Sequence, residues 1–169
     1  MATETGHRTG GGRLDETELG AWRGFLRAHA ALVRDLDAEL QSAHGLSLSS
    51  YEVLLLLAGA SRRQLRMTEL ANATLITLGG VTRLVDRLER EGLVQREKCS
   101  SDARGINAVL TSAGLEKLRE AGPTHRAGIR RRFLSQLTVA QQEQLEQIWA
   151  AIVPDGAAPQ AQGPPCEID

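Results

Sequence analysis

The 27 residues from Leu78 to Arg104, LGGVTRLVDRLEREGLVQREKCSSDAR, hold the most specific pattern in this chain. Val81, Leu84, Val85 and Leu88 recur at helical spacing on one face, with Thr82, Arg83, Asp86, Arg87 and Arg90 opposite. That spacing predicts an amphipathic helix over Leu78–Glu91, capped by the hydroxyl of Thr77. Leu93–Lys98 then reads as a strand, Cys99–Gly105 as a polar loop and Ile106–Leu110 as a returning strand. A helix followed at once by a two-stranded wing fits a helix that enters a DNA major groove while the wing lies against the backbone. Alone, the helix would be one more basic helix. The wing makes DNA the leading partner.

The charge distribution agrees. Nine Lys/Arg and six Asp/Glu lie between Arg62 and Arg104, on a chain whose net charge is −1. The overall balance argues against a protein that coats nucleic acid, whereas a basic segment on an acidic body suits one that presents a single face to phosphates. The 169 residues are 41% apolar but only 3% aromatic, so the core must be Leu, Val, Ile and Ala, which favours packed helices. The expected fold class is mainly α with a small β wing: a winged helix-turn-helix lobe plus a helical dimerisation lobe. No run approaches the ~18 apolar residues that span a bilayer, and the N-terminus is polar, so the cytoplasm is the expected location and no membrane contact is expected. Cys99 and Cys166 do not make a disulfide framework in a chain of this size.

Outward from the central stretch, residues 1–13 are Gly/Thr-rich and read as a disordered arm, and residues 154–169, with four of the five prolines, as a disordered tail. The folded body is then 14–153, with outer helical segments at 14–45 and 112–153 around a central segment at 46–111 that holds the helix and wing. A first helix is expected from about Asp15 to His44, where Leu19, Trp22, Leu26, His29, Val33, Leu36 and Leu40 form a heptad seam widened by Phe25 and Leu32. So long a seam suggests packing against another long helix, and Gly45 suits its C-terminal cap. A second helix, apolar nearly all round, is expected from Ser49 or Ser50 through Ala58, and a short one over Met67–Ala73. Thr111 caps a further helix with a possible bend at Gly122-Pro123, and a last helix after Thr138 presents Leu145, Ile148, Trp149 and Ile152.

In order and spacing, VTRLVDRLEREGLVQRE, then SDARG, then AVLTSAGLEKL resembles the MarR family of winged helix-turn-helix transcription regulators. The resemblance spans nearly the whole folded body. It includes the Asp-x-Arg of the wing (Asp102, Arg104) and the Leu-Thr-x-x-Gly start of the following helix (Leu110, Thr111, Gly114). It implies a homodimer through the first and last two helices, with one recognition helix and one wing per half-site. Twofold symmetry would place half-sites ~34–36 Å apart on a palindromic operator in double-stranded DNA. The implied role is a repressor released by a small aromatic or phenolic effector.

The DNA-binding candidates are Thr77, Gly79, Gly80, Thr82, Arg83, Arg87, Arg96, Lys98, Asp102 and Arg104. Arg83 and Thr82, early on the polar face, could reach a base edge or a phosphate. Arg87, one turn on, suits a phosphate contact or plain solvation. Arg104 resembles the family's minor-groove arginine, oriented by Asp102 through a charge-assisted hydrogen bond. Arg96 and Lys98 alternate along a strand and so face the same side, where they suit phosphates. The chain departs from the family at Gly79-Gly80, where polar base readers are usual. The two glycines imply either close approach to a phosphate through free N–H groups or loss of direct readout in favour of DNA shape.

Effector candidates implied by the resemblance are Trp22 and His29, seven apart on one face, Tyr51, and His125 with Arg126. A histidine in an apolar seam needs a partner, so a satisfied interface histidine competes with ligand anchoring. Cys99, next to Lys98 and near Arg96, leaves redox sensing as an alternative. A further alternative is a winged-helix protein-interaction dimer without DNA binding. His7, His29, His44 and His125 show no metal-ligand spacing, no cofactor is expected, and the motifs of enzyme active sites are missing, so the chain does not read as an enzyme.

Overall fold

The computed structural model describes residues 12–74, 77–99 and 105–153. The expected arm and tail lie essentially outside these residues, as do Asp102 and Arg104. The elements run α1 (Glu16–His44), α2 (Leu48–Gly59), β1 (Gln64–Arg66), α3 (Met67–Thr74), α4 (Leu78–Arg90), β2 (Val94–Lys98), β3 (Ile106–Leu110), α5 (Ser112–Arg132) and α6 (Val139–Ile152). The chain divides into two units, one up to Ala31 and one from Leu32.

In the first unit Trp22 and Phe25 lie with ring centroids 5.9 Å apart, and Phe25 and His29 6.1 Å apart. Trp22, Phe25 and Leu26 are exposed.

The second unit holds the core. Leu54 and Leu57 of α2, Leu70 of α3, Val81, Val85 and Leu88 of α4, and Val94 and Ala108 of the sheet are all buried. Leu115, Leu118 and Ala121 of α5 belong to the same cluster, as does Leu40. The segment 112–121 is thus packed into the core shared by α2 and α4. Each of these leucines, fully removed from water, contributes roughly 1.5–3 kcal/mol.

Three local features differ from the sequence reading. The cap of α2 is Ser47, not Ser49 or Ser50: its Oγ accepts the Ser50 N–H at 3.2 Å, while Asp37 Oδ1 takes the Leu48 N–H at 2.8 Å. The wing is part of a three-stranded antiparallel sheet of order β1-β3-β2, in which Gln64–Arg66 covers the other edge of β3. Helix α5 runs through Pro123 to Arg132 instead of breaking. Proline removes one helical hydrogen bond, but Leu118, Ala121, Gly122 and Gly128 are buried on both sides and hold the axis. At Gly128 a Cβ would come 2.6 Å from Leu36 Cδ2 and 2.8 Å from Glu39 Oε2, so a side chain there would have to displace both tips. Beside it, Arg132 bonds Asp35 at 2.8 Å, and Arg131 bonds Glu39 at 2.7 Å. The Arg131 hydrogen bond holds the Glu39 carboxyl below its ordinary range.

Gly45 ends α1 at φ +64°, and Gly92 turns the chain from α4 into the wing at φ +74°. Both sit in left-handed backbone, which glycine adopts at little cost.

Candidate nucleic-acid interface

Helix α4 begins where the sequence predicts. Thr77 Oγ1 accepts the Gly80 N–H at 3.2 Å, and the Thr77 carbonyl accepts the Val81 N–H at 2.9 Å. Its apolar face is fully buried at Val81, Val85 and Leu88, so the opposite face is fixed outward by packing. On that face Arg83 is exposed and bonds no described residue. Thr82 is also exposed, but its hydroxyl donates to the Leu78 carbonyl at 2.8 Å, which leaves only its acceptor lone pairs. Gly79 is exposed, and a Cβ built there would meet nothing within 4 Å. Lys98, at the outer end of β2, is exposed and forms no bond to a described residue.

Two of the candidate DNA-binding arginines have bonding partners within the protein. Arg87 Nη2 donates to Ser47 Oγ at 2.8 Å and to Ser50 Oγ at 2.7 Å, tying α4 to the cap of α2. Ser50 is buried and Ser47 half-buried, while Arg87 itself stays exposed, so these bonds tether its guanidinium without withdrawing it from solvent. Arg96 is more strongly held. Its Nη1 lies 2.6 Å from Glu89 Oε2, and its Nη2 lies 2.7 Å from Asp86 Oδ1 and 3.2 Å from the Thr82 carbonyl. Arg96 and Lys98 share a side of the strand, but the helix lies against Arg96 and leaves Lys98 open.

Of the partners of Arg87 and Arg96, Glu89 and Ser47 do not stand out in the sequence, while Asp86 reads only as part of the polar helix face and Ser50 only as a candidate start of α2. No periodicity couples Glu89 to Arg96, which face each other only because Gly92 reverses the chain. At the wing's inner end, Thr111 Oγ1 donates to the Gly92 carbonyl at 2.8 Å and to that of Leu93 at 3.0 Å, and accepts the Gly114 N–H at 3.0 Å.

The MarR family profile matches residues 44–105, the span from the end of α1 to the wing. YkoM of Bacillus subtilis (strain 168), an HTH-type transcriptional regulator, is 32% identical over 130 residues, covering 77% of this chain and 82% of that protein. The structure of Sco3205, a MarR family transcriptional regulator from Streptomyces coelicolor in complex with DNA, superposes with a TM-score of 0.81 at 36% identity, covering 89% of this chain and 96% of the other. The chain belongs to the MarR family. The HTH-type transcriptional repressor YetL of Bacillus subtilis (strain 168) is 36% identical over 84 residues, half of each chain. This MarR-family protein is a winged-helix transcription regulator, not an enzyme.

The effector candidates of this regulator fall into its two units. Trp22 and His29 are exposed in the first. In the second, Tyr51 and His125 stack with centroids 4.4 Å apart. A side chain at Gly122 would meet Arg126 Nη1 at 3.1 Å and Tyr51 Oη at 3.9 Å, so this glycine leaves space that both side chains use. His125 Nδ1 is buried without a hydrogen-bond partner, and burial, reinforced by Arg126, pushes the imidazole pKa down. Neither Tyr51 nor His125 lines either of two clefts in this unit. One, of about 660 Å³, is bounded by Leu56, Arg66, Cys99 and Asn107, and the other, of about 610 Å³, by Met67, Thr82, Asp86 and Arg96. In the first, Arg66 Nη2 lies 3.5 Å from Cys99 Sγ.

Proposed function

We propose that this regulator is a homodimeric repressor that binds a palindromic operator, with α4 in the major groove and the wing against the backbone. The observation that carries the reading is the outward face of α4. Burial of Val81, Val85 and Leu88 fixes the helix, and Arg83 stands exposed without a competing partner. Arg83 is the base-edge or phosphate contact, Thr82 an acceptor beside it, and Lys98 a phosphate contact from the wing. Thr77, Gly79 and Gly80 present the capped first turn, and Asp102 and Arg104, outside the described residues, are the further proposed DNA contacts. The DNA complex of Sco3205 and the repressor role of YetL support this reading.

The dimer is supported by unburied apolar side chains, Trp22, Phe25 and Leu26 in the first unit and Ile148, Trp149 and Ile152 on α6 in the second. Scattered apolar residues are normal, but runs on helical faces mark interfaces. Release by a small aromatic compound is the proposed regulation, with Tyr51, His125 and Arg126 around it and Trp22 and His29 as the α1 candidates. A second reading, sensing through Cys99, is favoured by the Arg66 guanidinium beside its sulfur, a setting in which thiols react.

The test is a duplex selected from a random-sequence library by the wild-type protein, with affinity read by anisotropy across salt. Arg83→Ala should lose roughly ten- to hundredfold, the worth of a good base contact. Wild-type affinity should fall steeply as salt rises, because phosphate contacts release counterions. A wild-type dimer that enriches no duplex over random DNA would overturn the reading in favour of a protein-interaction dimer. Alkylation of Cys99 with unchanged operator affinity would remove the second reading.

A further inference from the structure

Arg96 meets one continuous face of the recognition helix. The groups it touches belong to Thr82, Asp86 and Glu89, spaced four and three residues apart, so one guanidinium spans two turns of α4. Glu89 grips it twice, because Oε2 takes Nη1 at 2.6 Å while Oε1 takes the Arg96 backbone N–H at 3.0 Å. That second bond fixes the strand itself, not only a side chain. The Arg96 side chain is 22% exposed and its guanidinium faces two carboxylates, so its charge is neutralised within the protein. We infer that Arg96 is a positioning residue: it clamps β2 along α4 and so sets the angle at which the wing leaves the recognition helix.

This inference rests on the DNA-binding reading above and adds to it a role for two acidic residues. Asp86 and Glu89 lie on a helix meant to approach phosphates, where bare carboxylates would repel the polyanion. Paired to Arg96, they hold Lys98, two residues further along the strand, at its station. A phosphate contact at Arg96 would make the same carboxylates a hindrance to binding. The two roles therefore predict opposite signs for their removal.

The experiment compares Arg96→Gln, Asp86→Asn, Glu89→Gln and the double variant Arg96→Gln/Glu89→Gln on a duplex selected by the wild-type protein. Hydrogen exchange of the β2 and β3 amides is followed in the same proteins. Glu89→Gln removes a negative charge near DNA, yet should weaken binding about tenfold, the scale of a lost charge-assisted hydrogen bond. Arg96→Gln should do the same, and the double variant should lose no more than the worse single one, because both break one clamp. Exchange at Val94–Lys98 should accelerate in all four while the α2 core amides stay protected, which separates a loosened wing from general unfolding. Carboxylate variants that bind as tightly as wild type or tighter would overturn the clamp, as would losses that add in the double variant. Failure of the wild type to select any duplex would instead strike the DNA reading itself.

Discussion

Two glycines mark opposite ends of the candidate DNA-binding surface and are used in opposite ways. At Gly114, which opens α5 against the inner end of the wing, a Cβ would lie 2.1 Å from the Leu93 carbonyl oxygen and 2.7 Å from Leu110 Cδ1. At Gly79, in the first turn of α4, a Cβ would meet nothing within 4 Å. The wing root is closed by backbone contact, and Thr111 and Arg96 tighten it further. The leading turn is open, tied among the described residues by the Thr77 cap and by the Thr82 hydroxyl on the Leu78 carbonyl. Where the protein fills the space, residue identity is explained by the fold. Where space is empty and the helix pays for a glycine it does not need, the explanation must come from outside the chain.

Gly114→Ala should break the closed end and produce the largest stability effect. The obstacle is a backbone carbonyl, which cannot rotate away as a side-chain tip would, so β2 and α5 must part. A loss of about 2–3 kcal/mol, the upper range for overpacking, is expected in urea unfolding. A variant as stable as wild type would show that the wing root yields freely and that the contrast with Gly79 is false.

The open end predicts a smaller and opposite change. Gly79→Ala should raise stability by up to about 1 kcal/mol, because alanine is the better helix former and meets no neighbour. Operator affinity should nevertheless drop if DNA backbone closes to this turn, and stay unchanged if the turn does no reading. Thr77→Ala, which removes the cap of the same turn, should cost about 1 kcal/mol. Unfolding midpoints and anisotropy on the same proteins give both quantities.

The same contrast explains what could be read in the sequence. Buried faces were legible: Val81, Val85 and Leu88 recur at helical spacing, and Thr77, Thr111 and Thr138 mark helix starts because a hydroxyl cap is a local device. Strand β1 was not legible, since three residues, Gln64–Arg66, are too few to show alternation and pair only with distant β3. Nor were the partners of Arg87 and Arg96 within the protein. Exposed arginines near a DNA-binding motif look alike until the fold supplies Ser47 and Ser50 for one and Asp86 and Glu89 for the other. Arg83 is exposed and bonds no described residue, so the fold does not compete for it.

The smallest effect concerns a half-buried side chain away from both ends. His125 lies against Tyr51 with Nδ1 unpartnered, and its pKa is lowered by burial and then by Arg126. The folded state therefore favours the neutral ring. Above the ordinary histidine pKa of about 6.5 both states are neutral and the group costs nothing. As pH falls through that value toward the lowered folded pKa, the unfolded chain takes up the proton first, and stability declines. Melting temperature should therefore fall between pH 7 and pH 5, and His125→Phe, which keeps the ring against Tyr51, should flatten that part of the fall. Glu39, held below its ordinary range by Arg131, loses its contribution only at more acid pH, so the two windows separate. A fall with the same slope in His125→Phe would place the acid sensitivity elsewhere and leave the stacked pair a plain packing contact.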